Sequence, residues 1–325
     1  MKRKQMRTAI IVILMATAMT TEAQETAWPK ISGFLNARYQ YSDEAGSVQG
    51  FDIRRVRLAA DGRIGQSLEY RVQAEYETSV KILDAYLKWN IAPSFNLQLG
   101  QFKAPFSQES YYSPTVWLTI DNPTVVSKLN GYNDLSGIKS NGRDIGFVVF
   151  GGLFRQRGGF DLLSYKIGIF NGNGINATAK KNDKDLAGII CLNPIKQLTL
   201  SVGHYQGSYG VQGDTHVRNR TSAGVEYKNK SLTVRSEYIH GNTAGMKSDG
   251  VYAEAAYFVT PRLQPVIEYD YFKQNKNVDG DQNNYQIGLN YLPIKNVRIQ
   301  TAYTHKVVTG NDAVNYVAAQ LIVKF

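Results

Sequence analysis

Strict alternation of apolar and polar residues, repeated segment after segment, most limits what this chain can become. From Leu68 to Tyr76, Leu68, Tyr70, Val72, Ala74 and Tyr76 fall on one side of an extended chain, and Glu69, Arg71, Gln73 and Glu75 on the other. Successive side chains of a strand point to opposite faces, so this pattern is a strand with one apolar and one polar face. Leu83, Ala85, Leu87 and Trp89 oppose Asp84, Tyr86, Lys88 and Asn90 in the same way. Tyr285, Ile287, Leu289 and Tyr291 oppose Gln286, Gly288 and Asn290, and Val317, Ala319, Leu321, Val323 and Phe325 share one face at the chain's end. No helical stripe of three turns follows residue 23.

Sixteen such segments can be marked: 30–41, 51–61, 68–76, 82–90, 95–101, 143–151, 159–170, 184–192, 196–206, 218–228, 231–240, 250–259, 262–273, 284–292, 297–306 and 315–325. Every second connection is short: 62–67, 91–94, 193–195, 228–230, 260–262 and 292–295. Those between are longer and rich in Gly, Asn, Asp and Lys: 42–50, 171–183, 207–217, 241–249, 274–283 and 307–314. Two break the rule, 77–81 being short for a loop and 152–158 long for a turn. An even number of antiparallel strands with short turns at one end and long loops at the other describes a transmembrane antiparallel β-barrel. Closure supplies the physical reason, because hydrocarbon offers no partner to an open strand edge. About sixteen strands leave room for water inside, which eight do not.

Composition removes the competing membrane architecture. A mean hydropathy of −0.32 cannot supply repeated apolar helices of about 20 residues. Aromatics, at 11% of 325 residues, are too many for a disordered chain, and the single Cys191 excludes a disulfide scaffold. A secreted β-sandwich or propeller is the soluble competitor. Here each strand with its connection takes about 19 residues, against about 8–12 between turn signals in a sandwich. The apolar faces also end in aromatics such as Phe34, Tyr39, Tyr76, Trp89, Tyr257 and Phe325, as strands do at the two membrane interfaces.

The first 23 residues read as an address. Lys2, Arg3, Lys4 and Arg7 precede an apolar run from Ala9 to Met19, then Thr20-Thr21-Glu22-Ala23. This is a secretory signal peptide, with cleavage expected after Ala23 and the barrel over 24–325. Cleavage removes those four cations and Glu22, taking the net charge from +10 to +7. Export through it makes nucleic acid an unsuitable partner and leaves anionic solutes or surfaces.

Between the fifth and sixth segments lie residues 102–142, far longer than any other connection and carrying Tyr111, Tyr112, Trp117 and Leu118. Long loops in compact domains are usually functional. This third loop is expected to fold into the lumen and narrow it, the alternative being a dangling extracellular loop. The second strand reads Phe51-Asp52-Ile53-Arg54-Arg55-Val56-Arg57-Leu58. With Val56 and Leu58 toward lipid, Arg55 and Arg57 face the lumen, and Arg54 falls on the outer face near the headgroups. An arginine at the bilayer midplane costs about 2–4 kcal/mol, so basic residues should point inward. Arg38, Arg71, Lys88, Lys166, Arg218, Arg220, Arg235, Arg298 and Lys306 share that inward phase. A plainer reading pairs these bases with equally inward acids such as Glu69, Glu75, Asp84, Glu226 and Glu254. An anion preference would come from cations concentrated at the narrowest point.

At these residues the chain resembles the phosphate-selective porin O and P family of outer-membrane proteins. The likeness rests on Phe51, Ile53, Arg54, Arg55, Val56 and Arg57, on 100–107 (Gly-Gln-Phe-Lys-Ala-Pro-Phe-Ser), on 142–146 (Gly-Arg-Asp-Ile-Gly), on 168–174 and on Phe325. It implies a sixteen-stranded barrel, trimeric, in the outer membrane of a Gram-negative bacterium, with an inward third loop and a basic lumen conducting anions such as phosphate. By motif position it implies Arg54, Arg55, Arg57 and Lys103 on the anion path, with Lys128, Lys139 and Arg143 as looser candidates. Arg38 and Arg71 join them by phase. The chain departs from the phosphate-specific members in its shorter length and in a loop that is not rich in lysine.

Enzymatic signatures are missing. His204, His216, His240 and His305 form no i,i+4 pair, and the loop around Asn275–Gly280 has Gln286 where a calcium-binding loop needs Glu. Asn171-Gly172-Asn173-Gly174 lacks the Lys-Ser/Thr of a phosphate-binding loop, and no Gly-x-Ser-x-Gly occurs. The expectation is a passive porin without cofactor, set in outer-membrane lipid and taking small anionic solutes. The alternatives are a non-selective or organic-nutrient porin, or a non-conducting adhesive barrel.

Overall fold

The computed structural model describes residues 28–47, 49–131, 133–138 and 140–325; the expected signal peptide and Lys139 lie outside them. Sixteen strands follow in order. The first eight are β1 (Lys30–Ser42), β2 (Gly50–Ile64), β3 (Leu68–Glu75), β4 (Lys81–Ala92), β5 (Phe95–Lys103), β6 (Arg143–Arg155), β7 (Asp161–Phe170) and β8 (Asp185–Ile195). The rest are β9 (Leu198–Val211), β10 (Asp214–Lys228), β11 (Leu232–Thr243), β12 (Met246–Tyr257), β13 (Leu263–Lys273), β14 (Gln282–Tyr291), β15 (Val297–Val308) and β16 (Val314–Lys324). Each pairs antiparallel with its sequence neighbours, and β1 pairs with β16 from Phe34↔Lys324 to Ser42↔Tyr316, which closes the barrel. The Gly33 N–H donates to the Phe325 carbonyl at 2.9 Å, so both ends of the sheet lie at the short-turn end.

The two faces follow the alternation. On β14, Ile287 is 61% exposed while Asn290 is 1% exposed. Turned outward, Ile287 presents its apolar surface to whatever surrounds the barrel; Asn290 bonds inward to Gln264 and to the Leu118 carbonyl. Two of the expected long loops are instead strands that run on. The 207–217 and 241–249 segments become hairpin tips closed by Gln212-Gly213 and Ala244-Gly245. Ala244 and Gly245 have φ of 51° and 90°, the positive pair of a two-residue turn that matches the sheet's twist.

Two of the register shifts in the sheet move residues singled out from sequence. Opposite Asn36 and Ala37, β2 steps from Arg55 to Ile53, leaving Arg54 as the extra residue. The bulge lets Arg54 and Arg55 both turn inward, whereas unbroken alternation places Arg54 outside. Opposite Gln73 and Ala74, β4 steps from Asp84 to Ile82. Leu83 is therefore buried instead of lipid-facing, and Ile82 takes the outer position. Phe34, expected in the outer girdle, is also buried, with the Arg57 guanidinium 5.6 Å from its ring centre.

Residues 104–142 contain a 3-10 turn (Glu109–Tyr111) and a short helix, α1 (Thr124–Leu129). Phe106, Val125, Val126 and Leu129 of this insertion share one apolar cluster with Phe170, Tyr205, Ile239, Tyr252 and Phe272 of the wall. The close approach needs small wall residues: a Cβ on Gly250 would stand 2.6 Å from Val125. These contacts lay the insertion against the inner side of the wall.

Candidate functional site

The insertion is tied to inward-facing side chains around most of the barrel. Ser107 Oγ donates to Glu237 of β11 at 2.7 Å, and Tyr112 bonds Glu226 of β10. The Thr115 carbonyl accepts from Arg298 of β15, and the Leu118 carbonyl from Asn290 of β14. Asp121 pairs with Arg54 and reaches Arg38 at 3.9 Å. The Thr124 N–H donates to Asp270 of β13 at 2.7 Å. Asp134 then bonds Arg218 and Arg220 of β10, at 3.0 and 3.4 Å.

Two of the spaces beside the loop hold the cations singled out from sequence. The larger, about 830 Å³, lies against β1, β2 and β13–β16, toward the long-loop end, where Ser47 borders it. The smaller, about 300 Å³, lies against β2–β7. Arg38, Arg54, Arg55 and Lys128 line the first, and Arg57, Arg71, Lys103 and Arg143 the second. The eight residues singled out from sequence thus divide evenly between two cavities that adjoin along β2. Lys139 falls outside the described residues.

Most of these cations already have acid partners. Arg38 pairs with Asp52, Arg57 with Glu75 at 3.0 Å, Arg71 with Asp61 at 2.7 Å, and Arg143 with Asp84 at 2.7 Å. Their charge is largely balanced, as the plainer reading expected. The lysines differ. The Lys103 ammonium donates to the carbonyls of Ser110 and of Tyr112 (2.9 Å), and that of Lys166 sits 4.4 Å from the Tyr111 ring centre. No ion pair to Lys103, Lys128 or Lys166 is found among the described residues. In the small cavity, five cations (with Lys166) meet the single carboxylate of Asp84.

Loop carboxylates carry the opposite signs of perturbation. Burial would raise the Asp134 carboxyl, but the Arg218 and Arg220 guanidiniums outweigh it and hold its pKa below the ordinary 3.8. Glu109 is pushed well above 4.5, first by burial and then by the neighbouring Glu254 carboxylate.

Among the described residues no group of His, Cys, Asp and Glu could hold a metal ion. The sequence profile of the family described as phosphate-selective porin O and P matches residues 32–325. The chain belongs to that family. A search of curated proteins finds no match. Among solved structures, the porin is similar to the anion-selective porin of Comamonas acidovorans, with a TM-score of 0.71 at 13% identity, covering 93% of this chain and 100% of that one. OmpF of Salmonella typhi, in complex with daunomycin, gives 0.66 at 14% identity, covering 91% and 97%. The trimer form of OmpT from Vibrio cholerae gives 0.64 at 14%, covering 91% and 99%. At these identities the likeness establishes the fold.

The family and the closed sixteen-stranded barrel point to a channel. Alternation alone places Lys166 on the inward face without giving it a role, and marks Trp117 only as one of the aromatics of the long connection. Phase could have found the first. The second needed the loop's path, which no local pattern encodes.

Proposed function

We propose that this porin is a passive, water-filled channel of a Gram-negative outer membrane that favours small anions such as phosphate. The gradient drives transport, and no cofactor takes part. The observation that carries the preference is the small cavity, where Arg57, Arg71, Lys103, Arg143 and Lys166 face one carboxylate and, among the described residues, the two lysines have no acid partner. Cations at a narrow point favour anions. The likeness to an anion-selective porin supports the same reading. Export by residues 1–23, with cleavage after Ala23, and assembly as a homotrimer complete the proposal; a trimer form is known for the similar OmpT.

A less selective pore is the second reading, favoured by Glu268 and Asp270 on the β13 side of the large cavity. Planar-bilayer recording decides between them. Purified protein should give discrete conductance steps and a reversal potential of anion sign in a KCl gradient. A potential near zero would establish the second reading, and absence of steps would overturn the channel itself.

A further inference from the structure

A third cavity, about 350 Å³, lies at the short-turn end of the barrel, where Pro93 borders it. Phe150 stands directly across from Lys166 between β6 and β7, and Lys166 directly across from Ile189 between β7 and β8. Opposed residues of an antiparallel pair share a face, so these three side chains form one row on the lumenal side. The loop adds Tyr111, whose ring centre lies 4.4 Å from the Lys166 ammonium, and Tyr112, whose hydroxyl donates to Glu226. All five residues line the cavity, and Lys166 borders the small cavity as well.

A structural cation in this wall sits opposite an acid. Arg57 faces Glu75 across the sheet, Arg71 faces Asp61, Lys88 faces Glu69 and Arg235 faces Glu226. Lys166 instead has an apolar residue on either side, and no acid pairs with it among the described residues. The carboxylate of Asp161, the one acid among the lining residues, is bonded to Arg155 at 3.2 Å. A half-buried ammonium between apolar groups is short of counter-charge, and its three N–H groups exceed what one tyrosine ring accepts.

We infer that this cavity is a binding site for aromatic carboxylates, with the carboxylate on the Lys166 ammonium and the ring among Phe150, Ile189, Tyr111 and Tyr112. The carboxylate supplies the missing charge without displacing Tyr111, because the remaining N–H groups are free to donate. The ring buries its faces against apolar and aromatic walls. Phosphate would match the charge but leave its other oxygens against those walls, and a neutral solute would leave the charge unmet. The volume lies within the range of small-molecule sites, about 300–1,000 Å³. The inference rests on the proposed channel for access to the lumen and adds a class of solute to it.

Benzoate titrated into the protein in micelles, with the signal of micelles alone subtracted, should give saturable heat. Acetate, which lacks the ring, and benzamide, which lacks the charge, should each bind about tenfold or more weakly. Lys166→Gln should weaken benzoate by about tenfold or more, and Lys166→Arg by about threefold or less. Phe150→Ala should weaken it by about fivefold or more. Should that variant lose the heat-modifiable migration of a folded barrel, Ile189→Ala replaces it. Lys103 lies outside this cavity, so Lys103→Gln should change benzoate affinity by about twofold or less.

Absence of saturable benzoate binding, or binding that survives Lys166→Gln, overturns the site. Acetate or benzamide binding as tightly as benzoate does the same, as does an equal loss in Lys103→Gln. A protein that gives conductance steps but does not bind benzoate fails this inference alone. One that binds benzoate as stated and gives no steps fails the channel reading alone.

Discussion

Two groups of inward arginines share one phase in the sequence and meet different fates. Arg38 and Arg71, on β1 and β3, border the two cavities and keep 15% and 28% of their side chains exposed. Arg218, Arg220 and Arg235, on β10 and β11, are buried beneath the loop and hold it. Arg235 alone is bonded by Glu226 at 2.7 Å, Glu254 at 3.4 Å and Glu109 at 3.6 Å, and lies 3.8 Å from the Tyr112 ring centre. Alternation fixes which face a residue takes. Whether that face meets water or protein is decided by where a distant insertion lies.

Removing the clamp should have the largest effect. Arg235→Ala leaves Glu109, Glu226 and Glu254 without their shared cation in a buried place, a change that typically costs about 3–5 kcal/mol. Urea unfolding of the barrel in micelles should show a loss of that order, accompanied by noisier conductance as the loop loosens. A loss below about 1 kcal/mol, the worth of an exposed pair, would mean that Arg235 belongs with the cavity arginines after all.

A double exchange sharpens the comparison from the other side. Lys103→Gln with Lys166→Gln should lower the chloride-to-potassium permeability ratio by about threefold or more, because both cations border the narrow cavity. Unfolding should change by less than in Arg235→Ala, by about 1–2 kcal/mol at Lys103, which loses its hydrogen bonds to two loop carbonyls, and by about 0.5 kcal/mol at Lys166. Arg218→Gln should do the reverse, lowering stability while leaving the ratio near its starting value. Equal changes in selectivity for both variants would erase the distinction between path and clamp.

Much of the fold was legible because a barrel is written in local alternation. All sixteen strands were placed, and their boundaries erred mainly at the loop ends, where β9–β12 extend to two-residue turns. Arg54, Leu83 and Phe34 were misplaced for physical reasons. A bulge shifts phase by one residue without any mark in composition, and an inward Phe is tolerated when a guanidinium covers it. The site was legible as a set of residues and illegible as an arrangement. Nothing local to Lys103 indicates that carbonyls of its own loop would receive its ammonium. Nothing near Arg218 indicates that Asp134 would arrive from 84 positions away.

The smallest predicted effect separates the two anchors of the loop by pH. Glu109 has a raised carboxyl pKa in the folded chain, so its contribution is full below its unfolded value and declines as pH rises through the folded one. Asp134 has a lowered pKa, so its contribution is present above 3.8 and is lost as pH falls through the depressed value. Acidification from neutrality toward 4.5 should therefore tighten residues 107–112 against β11 while leaving 133–137, around Asp134, unchanged. Further descent below 3.8 should loosen the second segment alone. Hydrogen exchange, corrected for the intrinsic pH dependence of amide exchange, reads both segments in one experiment. Parallel changes in the two would show that the loop responds as one body, and that Arg235 and the Arg218–Arg220 pair act as a single clamp.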